Sequence, residues 1–332
     1  MAILEAAYNL HRHDLADDAD ALVRDVGPRI EAVVTTGNKG LKRDLIARLP
    51  NLKVVASSGV GYDTIDIAAC TERGIVVTNT PDVLTDDVAD LGLALILATQ
   101  RGLVRGDAWV REGRWKREGM MPLTTAISGK PLGIVGLGRI GKAVALRVLP
   151  LGMKISYFGR TRQTGVPFRF FDDLQAMCRE VDVLLLSCSG GESTRNLVNA
   201  DVLRALGPKG TLINIARGSV VDEPALIEAL KTGGIAGAGL DVFASEPDPN
   251  PAFTEMDNVV LYPHHASGTV ETRDAMAQLV VDNLAAYFAG NPLLTPVNPL
   301  APGWPASRVA KSDGDFKLTR MAWSHRGCSA SS

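Results

Sequence analysis

The chain has 332 residues, is 46% hydrophobic, and carries 35 basic against 37 acidic residues for a formal charge of -2. That length and apolar content suffice for two domains with cores of their own, and the balanced charge gives no general electrostatic reason to bind nucleic acid or a membrane surface. Four cysteines, Cys70, Cys178, Cys188 and Cys328, stand far apart without a CxxC pair or a histidine at ligand spacing, which argues against a zinc site or a disulfide framework and leaves most of them as small apolar fillers.

The first hundred residues alternate loosely between strand and helix. "AVVTTG" and "LKVVASSG" read as strands around a helix from about Leu41 to Leu49, a small α/β domain. The opening "MAILEAAYNLHRHD" has no basic segment leading into an apolar stretch, and the longest clean apolar run, Leu91 to Ala98, is far short of the roughly 20 residues that span a bilayer. A cytoplasmic protein is expected. Thr85 to about Gly102 predicts a helix too apolar to face solvent, to be buried in a domain or subunit interface. The following "RGDAWVREGRWKREG", rich in aromatics and arginine, points to a subunit interface.

From Leu132 onward the alternation is regular. "LGIVG", "KISYFG", "VDVLLLS", "TLINIA", "GAGLDVF" and "NVVLY" read as strands of a parallel sheet buried on both faces, with helices between them. Asn199, Asp222 and Thr269 are the expected N-caps of three helices, the last running to about Gly290. This is a doubly wound α/β domain. Its first turn carries Gly136, Gly138 and Gly141 in G-x-G-x-x-G spacing, after a strand and opening a helix. Gly136 permits the tight turn, Gly138 lets backbone approach a pyrophosphate, and Gly141 allows helix and strand to pack closely. Sites selective for NAD place an acid about 20 residues on, but no acid lies between Lys142 and Phe171; Arg160, Thr161 and Arg162 stand there instead. Arginine there binds a 2'-phosphate through its fork, so NADPH is expected over NADH.

Three polar groups then follow strands on one edge of the sheet: Arg217, Glu246 and the pair His264-His265. Hydride transfer to a carbonyl needs a proton donor for the nascent alkoxide, which histidine supplies near neutral pH. A carboxylate beside it stabilises the imidazolium, and an arginine can hold and polarise a 2-oxo acid. With these residues, the segments "SSGVGYDTID", "NTPDVLTDDVADLGLALIL", "GKPLGIVGLGRIG", "LINIARGSVVDEPALIEAL", "AGAGLDVFASEP" and "PHHASGT" resemble the D-isomer-specific 2-hydroxyacid dehydrogenases, in the glyoxylate/hydroxypyruvate reductase branch. The resemblance implies NADPH-dependent reduction of a small 2-oxo acid. It implies His264 as acid/base, Glu246 as its partner, Arg217 on the substrate, and Val60 and Gly61 amides on the substrate carboxylate. Asp241 would bind the nicotinamide carboxamide, with Arg139, Ile140 and Ala216 in the cofactor site.

The implied architecture is two doubly wound parallel-sheet domains: a Rossmann domain at 100–285, inserted in a flavodoxin-like substrate domain at 1–99 plus 286–298. The match departs from the family at both ends. Only "MAIL" precedes what reads, in "LEAAYNLHRHDL", as the end of the first helix and the second strand, so the first strand of the substrate domain is missing. Residues 299–332, with two of the four tryptophans and no periodicity, read as a disordered tail. Two other readings stay open, a phosphoglycerate- or D-lactate-type dehydrogenase and a nucleotide-sensing corepressor-like protein. Of the two histidines, an extended segment would send the side chains to opposite sides, leaving His264 to face the nicotinamide.

Overall fold

The structure, a computed structural model, describes residues 2–299; the expected tail lies, after its first residue, outside the described residues, as does Cys328. The smaller domain opens with α1 (Ala2–Ala7), α2 (Ala19–Val26), β1 (Ala32–Thr36), α3 (Arg43–Ala47), β2 (Val54–Ser58), α4 (Ile67–Glu72) and β3 (Val76–Thr78). Then come α5 (Thr85–Gln100), α6 (Leu103–Arg111), α7 (Arg114–Glu118), β4 (Pro131–Val135), α8 (Arg139–Val148), β5 (Lys154–Phe158), β6 (Arg169–Phe171) and α9 (Leu174–Cys178). The remainder is β7 (Val183–Leu186), α10 (Ala200–Leu206), β8 (Thr211–Asn214), α11 (Glu223–Lys231), β9 (Gly237–Leu240), β10 (Val259–Leu261) and α12 (Val270–Phe288).

All ladders are parallel, in a three-stranded sheet β1-β2-β3 and a seven-stranded sheet β10-β9-β8-β7-β4-β5-β6. Every residue of β7, β8 and β9 is buried, as unbroken apolar runs between two helical layers must be. The strand order turns back between β4 and β7, and the crevice at their carboxyl ends is where open α/β sheets bind ligands. Asn199, Asp222 and Thr269 cap α10, α11 and α12 by accepting from backbone N–H groups of the first turn. The strands β3 and β6, three residues each, are too short to show in a hydrophobic pattern.

The expectation of a strand within "LEAAYNLHRHDL" is corrected. The helix is there as α1, but the chain beyond it forms no ladder and only a 3-10 turn at His13–Leu15. A strand needs a partner to satisfy its N–H and C=O groups, and β1 stands at the edge of its sheet with no neighbour on that side among the described residues. Val34 of that edge strand is 42% exposed.

The helix α5 lies in the core beside the larger sheet. Leu84, Val88, Ala89, Leu95 and Ile96 join Leu132, Ile134, Val144 and Leu185 in one buried cluster. Gly92 lets α5 and α8 approach: a Cβ there would lie 3.0 Å from Ile215 Cδ1 and 3.2 Å from Val144 Cγ2. The long α12 bridges both domains. Met276 near its start belongs to that same cluster, while Val280 and Leu284 pack with Leu4 on Val54 and Ala56 of β2. Fully buried Asn283 donates to Leu279 O and Thr295 Oγ1 and accepts from the amides of Leu294 and Thr295, fixing the segment that returns along β3. There Val297 N–H donates to Val77 O, and Asn298 Oδ1 accepts from Val77 N–H.

Candidate active site

A cleft of about 980 Å³ runs between the sheets, at the upper end of the range typical of small-molecule sites. Its wall includes Val60, Gly61, Arg139, Ile140, Ala216, Arg217, Asp241 and His264, contributed by both domains. The motif glycines and Arg160, Thr161 and Arg162 are outside that lining, at the adjacent carboxyl ends of β4 and β5.

The three motif glycines have three separate reasons to lack a side chain. Gly136 has φ +90 and its Cβ would lie 2.6 Å from the backbone of Cys188. At Gly141 a Cβ would be 2.5 Å from Gly136 O, so helix α8 could not sit on its strand. A Cβ on Gly138 would meet nothing within 4 Å. It would point into open space, which is what a backbone that must admit a phosphate looks like. No side chain caps α8, and the N-terminus of such a helix is suited to an anion. The residues therefore fit a dinucleotide.

Beyond β5, Arg160, Thr161 and Arg162 are exposed, and neither arginine has a carboxylate partner among the described residues. Gln163 next to them donates from its amide side chain to Leu137 O and from its backbone N–H to Tyr157 Oη, tying this basic turn to the glycine-rich one.

At the other end of the cleft His264 sits at φ +49, in the left-handed region that few side chains adopt. This corrects the expected origin of the split between the two histidines. The segment after β10 is not extended, and the separation comes from that kink, held by His264 N–H donating to Asp241 O at 2.7 Å. His264 Nδ1 faces Glu246 Oε2 at 2.6 Å, each side chain 24% exposed, while His265 turns outward toward Tyr262 and Gly268. Burial pushes the Glu246 carboxyl up, but the His264 hydrogen bond, the Phe243 N–H on Oε1 and the nearby charges outweigh it and hold the carboxyl below its ordinary range. Asp241 is buried and accepts from His265 N–H at 2.8 Å and Ala266 N–H at 3.3 Å; burial leaves its carboxyl above the ordinary range despite those donors.

Arg217 leaves β8 through a turn clamped by Asn214, whose side chain accepts from Ala216 N–H and donates to Arg217 O. Its guanidinium lies over Gly61, where a Cβ would come within 1.5 Å of Nη2. Asp63, from the smaller domain, accepts from Arg217 Nε at 3.2 Å. The turn before it is pinned by Asn79 donating to Val60 O and by Thr80 Oγ1 accepting from Gly59 N–H. The amides of Val60 and Gly61 have no acceptor among the described residues and line the cleft. Two residues absent from the sequence reading complete the site: Asp63, visible only as an acid in "GVGYDTID", and Asn38, whose amide lies 3.2 Å from His264 Nδ1 and 3.4 Å from Glu246 Oε2. Nothing in the pattern around Asn38 distinguishes it from a turn residue. Of the cysteines, Cys70 and Cys178 are buried fillers, with thiols pushed up to about 11 and about 12 by burial, whereas Cys188 lines the cleft.

Fold and cleft together define a two-domain nicotinamide-dependent oxidoreductase. The family description "D-isomer specific 2-hydroxyacid dehydrogenase, NAD binding domain" matches residues 93–266. Over 294 residues the chain is 48% identical to glyoxylate/hydroxypyruvate reductase A of Arabidopsis thaliana, covering 89% of this chain and 94% of that one. Among solved structures, a 2-hydroxyacid dehydrogenase from Ketogulonicigenium vulgare Y25 is 50% identical with a TM-score of 0.84, over 90% of this chain and 95% of that one. The NADPH-dependent glyoxylate/hydroxypyruvate reductase of Sinorhizobium meliloti, in complex with NADP and malonate, is 47% identical with a TM-score of 0.80, over 86% and 87%. The chain belongs to the D-isomer specific 2-hydroxyacid dehydrogenase family, NAD(P)-dependent enzymes that act on 2-hydroxy acids.

Proposed function

We propose that the protein reduces small 2-oxo acids, glyoxylate and hydroxypyruvate first, to 2-hydroxy acids with NADPH. The observation that carries the reading is the convergence, on one cleft, of the His264–Glu246 pair, the Arg217 guanidinium and the unpaired amides of Val60 and Gly61. The amides take the substrate carboxylate. Arg217 bridges that carboxylate and the carbonyl oxygen, drawing charge from the carbon to be reduced. When bound, the reduced nicotinamide supplies the hydride. As the carbonyl oxygen gains negative charge, His264 delivers its Nε2 proton, while Glu246, ionised at neutral pH, accepts Nδ1–H and stabilises the imidazolium beforehand. Asp241 would hold the carboxamide of the nicotinamide ring when the cofactor is bound. The amides of Arg139, Ile140 and Gly141 would hold the pyrophosphate, with Ala216 along the cofactor wall.

For cofactor choice, Arg160 and Arg162 supply two unpaired cations and Thr161 a hydroxyl where a 2'-phosphate would lie. The structural relative named NADPH-dependent supports the same choice. Consumption of NADPH on adding glyoxylate or hydroxypyruvate tests the function. Turnover of both, with kcat/KM for NADPH above that for NADH, is expected; a tenfold NADH preference would overturn the cofactor reading.

The protein is further read as a homodimer. Leu103, Val104, Val110, Trp115, Met120 and Leu123 are all more than half exposed on one stretch from α6 onward, a density of bare apolar side chains that a partner surface covers.

A further inference from the structure

We propose that Asn38 is a positioning residue through which the smaller domain orients the His264–Glu246 pair; this rests on the reading of His264 as proton donor. Asn38 lies in the turn after β1, more than 200 positions from either partner, and reaches them from the opposite wall. The turn is stiff. Gly40 N–H donates to Thr36 O, Thr35 Oγ1 to Gly40 O, Lys39 N–H to Thr36 Oγ1, and Thr64 Oγ1 to Gly37 O. Gly37 and Gly40 leave no room for side chains, since a Cβ would lie 2.8 Å from Gly61 O and 2.2 Å from Thr64 O respectively. Asn38 is therefore held in a fixed place on its domain.

Counting donors and acceptors fixes what the amide does. Ionised Glu246 only accepts, so the proton between His264 Nδ1 and Glu246 Oε2 belongs to the imidazole. With that hydrogen in place Nδ1 has no lone pair for a second donor, and the 3.2 Å approach of Asn38 to it is a contact. The amide's acceptor is Oε2, at 3.4 Å. Glu246 thus holds Phe243 N–H on one oxygen and both His264 and Asn38 on the other. The second donor on Oε2 draws off carboxylate charge that would otherwise hold the imidazolium proton more tightly. It also keeps Oε2 aimed at Nδ1, which directs Nε2 into the cleft.

The test is a cycle of Asn38→Ala, Glu246→Gln and the double variant, with the pH dependence of kcat/KM for glyoxylate and an independent Kd for NADPH. Asn38→Ala is expected to lower kcat roughly tenfold, a coupling of ordinary size for residues in one hydrogen-bond network. It should also move the alkaline fall of reduction to higher pH and leave the NADPH Kd within about twofold. In the Glu246→Gln background the same change should do almost nothing, because the acceptor it acts through has gone. Asn38→Asp, which adds charge of the same sign as Glu246, should move the alkaline fall further upward. An unmoved fall, or equal losses in both backgrounds, would overturn the proposal by reducing Asn38 to a turn residue. His264→Gln distinguishes the two levels of the argument. If that variant keeps full turnover, the reading of His264 fails; if turnover is lost while the cycle is additive, only the role of Asn38 fails.

Discussion

His264 owes its place to a backbone conformation that costs on the order of 1–2 kcal/mol for a residue with a Cβ, and the surrounding bonds of Asp241 hold it there. Under the proposed function, this residue alone gives the proton. His264→Gln should lower kcat by about 10²- to 10⁴-fold, and His265→Gln, whose ring lies outward beside Tyr262, should leave it within a fewfold. Steady-state kinetics on both variants checks this; a loss confined to His265→Gln would reverse the assignment. Glu246 is held below the ordinary carboxyl range and so stays charged through neutral pH, favouring the protonated imidazole. In Glu246→Gln the fall of reduction rate on the alkaline side should therefore move to lower pH, opposite to the shift expected for Asn38→Ala. The same sign applies to stability: this pair's contribution is present above the ordinary carboxyl range and fades as pH drops through the lowered value. Replacing Arg160 and Arg162 together by serine should cut kcat/KM for NADPH at least about tenfold with little effect on NADH, since only the former carries the 2'-phosphate. Parallel titrations of the two cofactors measure it, and equal losses for both would contradict it.

At the scale of elements, α12 matters because one buried amide on it fixes the returning strand segment. Asn283→Ala would leave the amides of Leu294 and Thr295 without their acceptor and should cost about 3 kcal/mol, read as a lower urea midpoint at unchanged slope. A shift under about 0.5 kcal/mol would show that water takes over the role. The helices and strands of the larger domain were legible because periodic apolar runs, capping residues and glycines coincide there, as at Asn199, Asp222 and Gly136–Gly141. The glycine-rich turn and the polar residues at the strand ends came with them. What was not legible depends on pairing between distant segments. The stretch after Ala7 reads as a strand by composition but has no neighbour to bond, and β3 and β6 exist through their ladders rather than their patterns. Asn38 and Asp63 escaped for the same reason, because each gains its meaning from a partner on the opposite wall.

For the whole molecule, two sheets joined by α5 and α12 enclose one cleft to which each contributes chemistry. The smaller domain offers the free amides of Val60 and Gly61 with Asn38 and Asp63, and the larger one Arg217, Glu246 and His264. Neither set is complete without the other, so the site depends on how the two sheets are held together. The exposed apolar face from Leu103 to Leu123 predicts a dimer by light scattering, and introducing charge with Leu123→Glu and Met120→Lys should raise the monomer fraction. A wild-type protein that elutes as a monomer at micromolar concentration would contradict that assembly. Reduction of a small 2-oxo acid by hydride transfer, with His264 giving the proton, is checked most directly by following nicotinamide absorbance after glyoxylate is added to the protein with NADPH. Consumption of NADPH that depends on the added 2-oxo acid is expected of the wild-type protein, with near-complete loss in His264→Gln. A folded wild-type protein that binds NADPH but consumes none with glyoxylate, hydroxypyruvate or any other small 2-oxo acid would contradict it.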